Sequence, residues 1–411
     1  MTVDRKAGAR HAVVACYLGW TLDAFDFFVI VFLIETLARQ FGVTKKDIVL
    51  TTTATLAMRP LGALLFGLLA DRYGRRIPLM ANVIFFSLIE LLCGFAPNYT
   101  VFLILRALFG IGMGGEWGVG ASLTMEVAPP KWRGLLSGIL QSGYTMGYLL
   151  AAVAARFVLP TLGWRWMFWL GALPALLALY IRSKVPESAA WQQHRAATTG
   201  EVLRIVARHW KRFAYLVLLM TFMMFLSHGT MDLYPDFLQE VHHASAAVRA
   251  NIAILYNVAA IIGAMIFGHF SQKIGRRYSM MCSLGVCLAM IPLWAFGGTL
   301  TQVTFGAVFL SMGVQGAWGV IPVHLNELAA DAARGLMPGM TYQLGILLAA
   351  PTNSIQYKLR ERFGYEWALA GFEIVTVLGL LLLLWRGAED HGKTFVKETE
   401  APPEPKLLPE K

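Results

Sequence analysis

Two short basic loops, half a chain apart, constrain this sequence most. Gly67–Arg76 reads GLLADRYGRR and Gly268–Arg277 reads GHFSQKIGRR. Gly67, Gly74, Arg75 and Arg76 fall on Gly268, Gly275, Arg276 and Arg277 at a constant offset of 201 residues. Each loop lies between two long apolar runs. A polar loop repeated in that setting implies two related halves, both embedded in an apolar solvent. The offset recurs elsewhere: Gly115, Trp117, Gly118 and Val119 fall on Gly316, Trp318, Gly319 and Val320, and Arg133-Gly134 falls on Arg334-Gly335. Gly163 falls on Gly364 and Trp166 on Trp367. Parallel repeats of this kind put a substrate site between the halves near mid-membrane.

Composition supports lipid as that solvent. Of 411 residues, 57% are hydrophobic and only 15% charged, with a mean hydropathy of +0.57; soluble domains run to about a quarter charged. The net charge of +10 does not point to nucleic acid, because the charges cluster in short loops between apolar runs. Cys16, Cys93, Cys282 and Cys287 lie inside apolar segments without metal or disulfide spacing. The basic start (Arg5, Lys6, Arg10) leads into an apolar run too long for a cleavable signal peptide.

A spanning helix needs about 20 apolar residues. Twelve segments qualify: 11–36, 48–69, 77–96, 100–125, 134–158 and 164–184, then 212–238, 248–270, 278–297, 301–325, 336–358 and 366–386. The expected architecture is an all-α membrane protein: a six-helix bundle over 1–184, a cytoplasmic linker over 185–211, a second six-helix bundle over 212–387 and a disordered cytoplasmic tail over 388–411. With the N-terminus inside, the inner loops and both termini hold 24 of the 35 basic residues. This bias predicts both termini in the cytoplasm and a multi-pass plasma-membrane (inner-membrane) protein.

Charge at membrane depth is costly, so each such residue is a functional candidate. Asp23 and Asp26 share one face of the first helix, and Arg59 precedes Pro60 in the second. An Asp26–Arg59 pair would be either a static clamp or a cation shared with an anionic substrate. The fourth helix carries Arg106, four glycines from Gly110 to Gly115, and Glu116. Gln141, Tyr144 and Tyr148 make a polar stripe on the fifth helix. In the seventh, FLSHGTMDLYPDFL, His228 and Asp232 are i, i+4 neighbours at mid-depth and suit a proton relay. Tyr256, Asn257, Gln315, Trp318, Gln343 and Asn353 are further cavity candidates in the second half.

The loop motif GLLADRYGRR, with its degenerate second copy, is similar to that of the major facilitator superfamily. The stretches WTLDAFDFF, MRPLGALLFGLLADRYGRR, GMGGEWGVGASLTMEVAPPKWRGLLSGILQSGY and SHGTMDLYPDFL resemble the sialate:proton symporter family, which includes sialic acid permeases and Jen-type lactate/pyruvate permeases. Against the Jen-type helix-seven pattern, Ser227, His228, Thr230 and Asp232 match, whereas Met224, Met231 and Asp236 replace Asn, Gln and Thr.

The resemblance implies a proton-coupled symporter of a small organic monocarboxylate such as lactate or pyruvate. Sialic acid or an aromatic acid is the alternative, and a non-transporting substrate sensor is a rival of another class. The expected substrate-binding residues are Arg59, Arg106, Gln141, Tyr144, Tyr256, Asn257 and Trp318. His228, Asp232, Asp26 and Glu116 are expected to couple protons. Gly67, Asp71, Arg72, Gly74, Arg75 and Arg76 would form the gating motif. No P-loop, HExxH or GxSxG sequence is present, so neither catalysis nor ATP-driven pumping is expected. Nor is a metal or an organic cofactor, the proton being the coupling ion. The expected partners are the carboxylate, protons and membrane lipid, with the chain a monomer.

Overall fold

The computed structural model describes residues 2–196 and 198–396. Among these there is no strand. The first half runs α1 (Thr2–Phe41), α2 (Lys45–Tyr73), α3 (Arg76–Cys93), α4 (Tyr99–Val127), α5 (Arg133–Phe157), α6 (Leu159–Leu162), α7 (Trp164–Leu170) and α8 (Pro174–Lys184). The linker holds α9 (Ala189–His194) and α10 (Thr199–Arg208). The second half runs α11 (Trp210–Met231), α12 (Tyr234–Glu240), α13 (Ala246–Ile274), α14 (Arg276–Phe296), α15 (Leu300–Leu328), α16 (Met337–Ala349), α17 (Thr352–Phe363) and α18 (Tyr365–Arg386).

Nine spans among the described residues are long and apolar enough to cross a membrane, counting α7–α8 and α11–α12 as one each. The first, fifth and eleventh predicted spans, α1, α5 and α16–α17, are not among these nine. They bury Asp23 and Asp26, Gln141 and Ser142, and Gln343 and Gln356 inside the bundle. Leu65, Leu88, Val153, Leu179 and Val375 stay exposed on the outside, the face lipid would cover. Three predicted spans are broken: at 171–173 before Pro174, at 232–233 before Pro235, and at 350–351 at Pro351. Each proline lacks the amide hydrogen that would continue the helix.

The basic loops explain how the halves meet. Gly74 and Gly275 hold φ of 101° and 95°, conformations open to glycine. The turn sets Arg75 and Arg276 back into the bundle. Arg75 Nε and Nη2 donate to Glu126 at 3.2 and 2.9 Å, and Arg276 Nε and Nη2 donate to Glu327 at 2.9 Å each. These two forks are register equivalents, since Glu126 plus 201 is Glu327. Asp71 then reaches across the interface: its carboxylate accepts from Gly335 N at 2.7 Å and Leu336 N at 2.9 Å. Its counterpart Gln272 accepts from Gly134 N at 3.4 Å. Arg334 donates to Glu126 at 3.2 Å. A side chain at Gly67 would meet the Leu336 backbone. Arg72 donates to Ala196 O at 3.4 Å, and Arg76 to Arg182 O.

The tail corrects one expectation. Residues 388–396 are not disordered. Phe395 is buried, with the Arg133 and Arg334 guanidinium carbons 4.0 and 4.1 Å from its ring centroid. Two cation–π contacts from register-equivalent arginines hold it at the junction of the halves. The remainder of the expected tail, 397–411, lies outside the described residues.

Candidate functional site

The described hydrogen bonds between the halves run from mid-depth to the basic-loop end: Val323 N to Ser137 Oγ at 3.1 Å, Gln343 Nε2 to Gly114 O at 3.5 Å, and the loop contacts above. Toward the opposite end no hydrogen bond among the described residues joins the halves, and the ionisable pair of the seventh span is exposed. His228 Nδ1 lies 3.1 Å from Asp232 Oδ2, with side chains 47% and 32% exposed. The i, i+4 pair therefore forms as its spacing predicts, on the wall of a cleft. Tyr144 and Tyr148 from the first half and Tyr256 from the second are half-buried.

At the floor of this cleft Arg59 is buried, and its Nε and Nη2 have no hydrogen-bond partner. Tyr342 of α16 covers it, with the guanidinium carbon 5.7 Å from that ring. Around Tyr342 stand Trp117 at 4.4 Å, Trp318 at 5.8 Å and Trp20 at 6.4 Å between ring centroids. Trp117 and Trp318, related by the 201-residue offset, thus flank one ring. Trp117 Nε1 donates to Gln141 at 3.3 Å, and Tyr144 stacks on Trp20 at 5.3 Å. Close backbone approach makes the arrangement possible. A Cβ on Gly114 would lie 1.9 Å from Arg59 O, so only glycine lets α4 seat against α2 there.

The expected Asp26–Arg59 pair does not form. Arg106 Nη1 instead donates to both oxygens of Glu90 on α3, at 3.0 and 2.9 Å. Asp26 lies beside that pair, since a Cβ added to Gly171 would run into both Asp26 Oδ1 and Glu90 Cγ. Arg106 is therefore tied inside the first bundle, not presented to the cleft. The charges of Arg59 and Arg106 both reach Asp23. Asp23, Asp26 and Glu116 are buried with no hydrogen-bond partner on either oxygen. Glu116 packs against Gly19 of α1, where a Cβ would stand 2.5 Å from its Oε1. Asn257 is turned to its own helix, donating to Ala253 O at 2.8 Å.

Sequence reading missed Tyr342, Trp20, Glu90 and Glu373. Tyr342 was findable, because it lies 201 residues after Gln141. Glu90 and Glu373 were findable as intramembrane charges. Trp20 carried no such signal.

Two pseudo-symmetric helical halves, closed at one end and cleft at the other around a buried cation, define a multi-pass membrane transporter rather than an enzyme. The profile of the Major Facilitator Superfamily matches residues 16–350 and again 217–409, and the chain belongs to that family. It is 32% identical over 384 residues to a carboxylic acid transporter protein homolog of Saccharomyces cerevisiae, covering 86% of this chain but only 62% of that protein, under two thirds of its length. It is 31% identical to a probable 4-methylmuconolactone transporter of Cupriavidus pinatubonensis, over 92% of each chain. The sialic acid transporter NanX of Escherichia coli is 27% identical over 94% of this chain and 95% of its own. A proton:xylose symporter structure superposes with a TM-score of 0.79 over 95% of this chain and 98% of its own, at 20% identity, which supports the fold alone.

Proposed function

We propose that this chain is a proton-coupled symporter of a small organic monocarboxylate. Arg59 carries the reading. A buried guanidinium with two unpartnered nitrogens leaves a desolvation cost of several kcal/mol uncompensated. A carboxylate at the cleft floor would supply the missing acceptors in the planar geometry that guanidinium favours. Relatives named for a carboxylic acid, for 4-methylmuconolactone and for niacin are consistent with such an anion.

His228 and Asp232 are the proton carriers in this reading, with Asp26 and Glu116 as buried acids in the first half. An anion arriving in the same cleft favours proton uptake by either member of the pair, because a nearby negative charge stabilises the protonated state. The loaded cleft is then closer to neutral when the halves rock. The basic-loop end faces the cytoplasm, as do both termini, in the plasma membrane, and one chain suffices because both halves of the site lie within it.

The aromatic ring around Tyr342 favours a second reading within transport, an aromatic or conjugated acid. Uptake of labelled lactate, pyruvate, muconate, nicotinate and sialic acid into proteoliposomes, with and without an inward proton gradient, tests both. Accumulation of one acid driven by the gradient, and its loss in Arg59→Lys, is the expected outcome. Transport of none of them, or full transport by Arg59→Lys, would overturn it.

A further inference from the structure

The break in the seventh span has an acid behind it. α11 ends at Met231 and α12 begins at Tyr234. One turn before the break, Gly229 and Thr230 are buried and face α18. A Cβ on Gly229 would stand 2.2 Å from Glu373 Oε1 and 2.6 Å from Phe372 Cε1, so the glycine is what lets the Glu373 carboxyl reach the α11 backbone. Gln356 of α17 donates to Gly229 O at 2.8 Å. Glu373 is 1% exposed and lies beside Thr230, whose hydroxyl donates to Leu226 O at 2.7 Å. Its Oε1 has no partner, and neither has Gln356 Oε1.

Among the described residues, no cation pairs with this carboxyl. From α14 the titratable neighbour is Cys287, whose Sγ donates to Leu310 O at 3.7 Å. From α17 it is the uncharged Gln356, and Arg360 further along is tied to Glu240. On α11, His228 and Asp232 pair with each other on the cleft side. An ionised Glu373 would be a buried charge with Oε1 unpartnered, beside the C-terminal end of α11, which is itself partly negative. The neutral acid instead gains a donor that can meet an unpartnered acceptor.

We propose that Glu373 is a second proton-binding site of the transport cycle, lodged in the C-terminal half, whose proton stabilises the broken form of the seventh span seen here. This deepens the symporter reading and rests on it for its role in transport, though not for the proton itself. Loss of the proton sets a negative charge against the carbonyl end of α11. That charge disfavours this arrangement of α11, α17 and α18 and biases the halves toward the alternative state. Linkage requires the converse: conformations that open this contact release the proton.

The test uses the full chain in liposomes. Infrared difference spectra between acid and alkaline buffer should show a buried carboxylic-acid band in wild type that Glu373→Gln removes. Spin labels at Gln40→Cys and Lys358→Cys, at the cleft ends of the two halves, should report a distance distribution that shifts with pH in wild type, with the part due to Glu373 lost in Glu373→Gln and only that of His228 and Asp232 left. Should Glu373→Gln fail to fold, Gly229→Ala displaces the same carboxyl and is expected to move the band and the pH midpoint. A band and a pH-dependent shift that both survive the substitution undiminished would overturn the proposal. So would bleaching of the band by sodium at constant pH, or a wild-type distribution indifferent to pH. Neither readout needs a substrate, so failure of the wild type to transport any acid would sink the symporter reading alone.

Discussion

Asp71→Asn should loosen the closed end of the molecule. The Asp71 carboxylate accepts from Gly335 N at 2.7 Å and Leu336 N at 2.9 Å across the interface, and from Arg75 Nη1 at 2.7 Å within its own half. Only the first two are lost when the halves part at this end. A hydrogen bond to a charged group is worth about 1.5–3 kcal/mol and a neutral one about 1. The two interface bonds use different oxygens, and the amide keeps only one: Gly335 N retains a weaker acceptor while Leu336 N loses its own to the amide nitrogen, about 2–5 kcal/mol in total. At 1.4 kcal/mol per decade, that moves the equilibrium between closed and open ends by about 30–4,000-fold. Arg75 keeps its fork to Glu126, so the fold should survive. The register equivalent of Asp71 is already an amide, Gln272, with a longer 3.4 Å bond to Gly134 N. The mirrored change Gln272→Asp should therefore tighten the same end. Spin-label distances between the 72–76 and 329–333 loops would read both variants. Identical distributions for wild type, Asp71→Asn and Gln272→Asp would refute the assignment of this contact as a gate.

Arg59→Lys keeps the charge but loses the planar fork, and should weaken carboxylate binding by tenfold or more, about 1.4 kcal/mol, in equilibrium binding to the detergent-solubilised protein. Asp232→Asn should still exchange labelled for unlabelled acid across a vesicle membrane yet fail to accumulate it under an inward proton gradient, as a fixed stand-in for the protonated residue would. Arg106→Met removes the single nitrogen that donates both bonds to Glu90, and breaking that buried pair should destabilise the first bundle by about 3–5 kcal/mol, read as a lower unfolding temperature. Near the tail, burial pushes the Asp331 carboxyl up, but the hydrogen bond from Lys393 and the charges of Arg334 and Lys393 outweigh it and hold it below the usual carboxylate range. Its contribution to tail docking is thus present above about pH 4 and is lost as pH falls below that value through the depressed pKa. Protease access to 388–396 should rise only in that acid range, and not in Asp331→Asn, which should be accessible already.

The repeat of GLLADRYGRR as GHFSQKIGRR, 201 residues apart, together with the apolar runs around both, determined the two-bundle architecture without any coordinates. Local spacing was equally sufficient for His228 and Asp232, because i, i+4 positions on one helix meet whatever the rest of the chain does. Pairings between helices were another matter. That Arg106 belongs to Glu90 and not to the cleft, that Asp26 stands beside that pair and not beside Arg59, and that Tyr342 roofs Arg59 between Trp117 and Trp318 all depend on how far each helix is rotated and how closely it approaches. Those rotations are set by glycines such as Gly114 and Gly229, where the absence of a Cβ admits a neighbour at a distance no other residue permits. The short docked tail ending at Phe395 was hidden for the same reason. Its sequence is too polar to bury itself, and it becomes ordered only where two arginines from opposite halves converge on one ring.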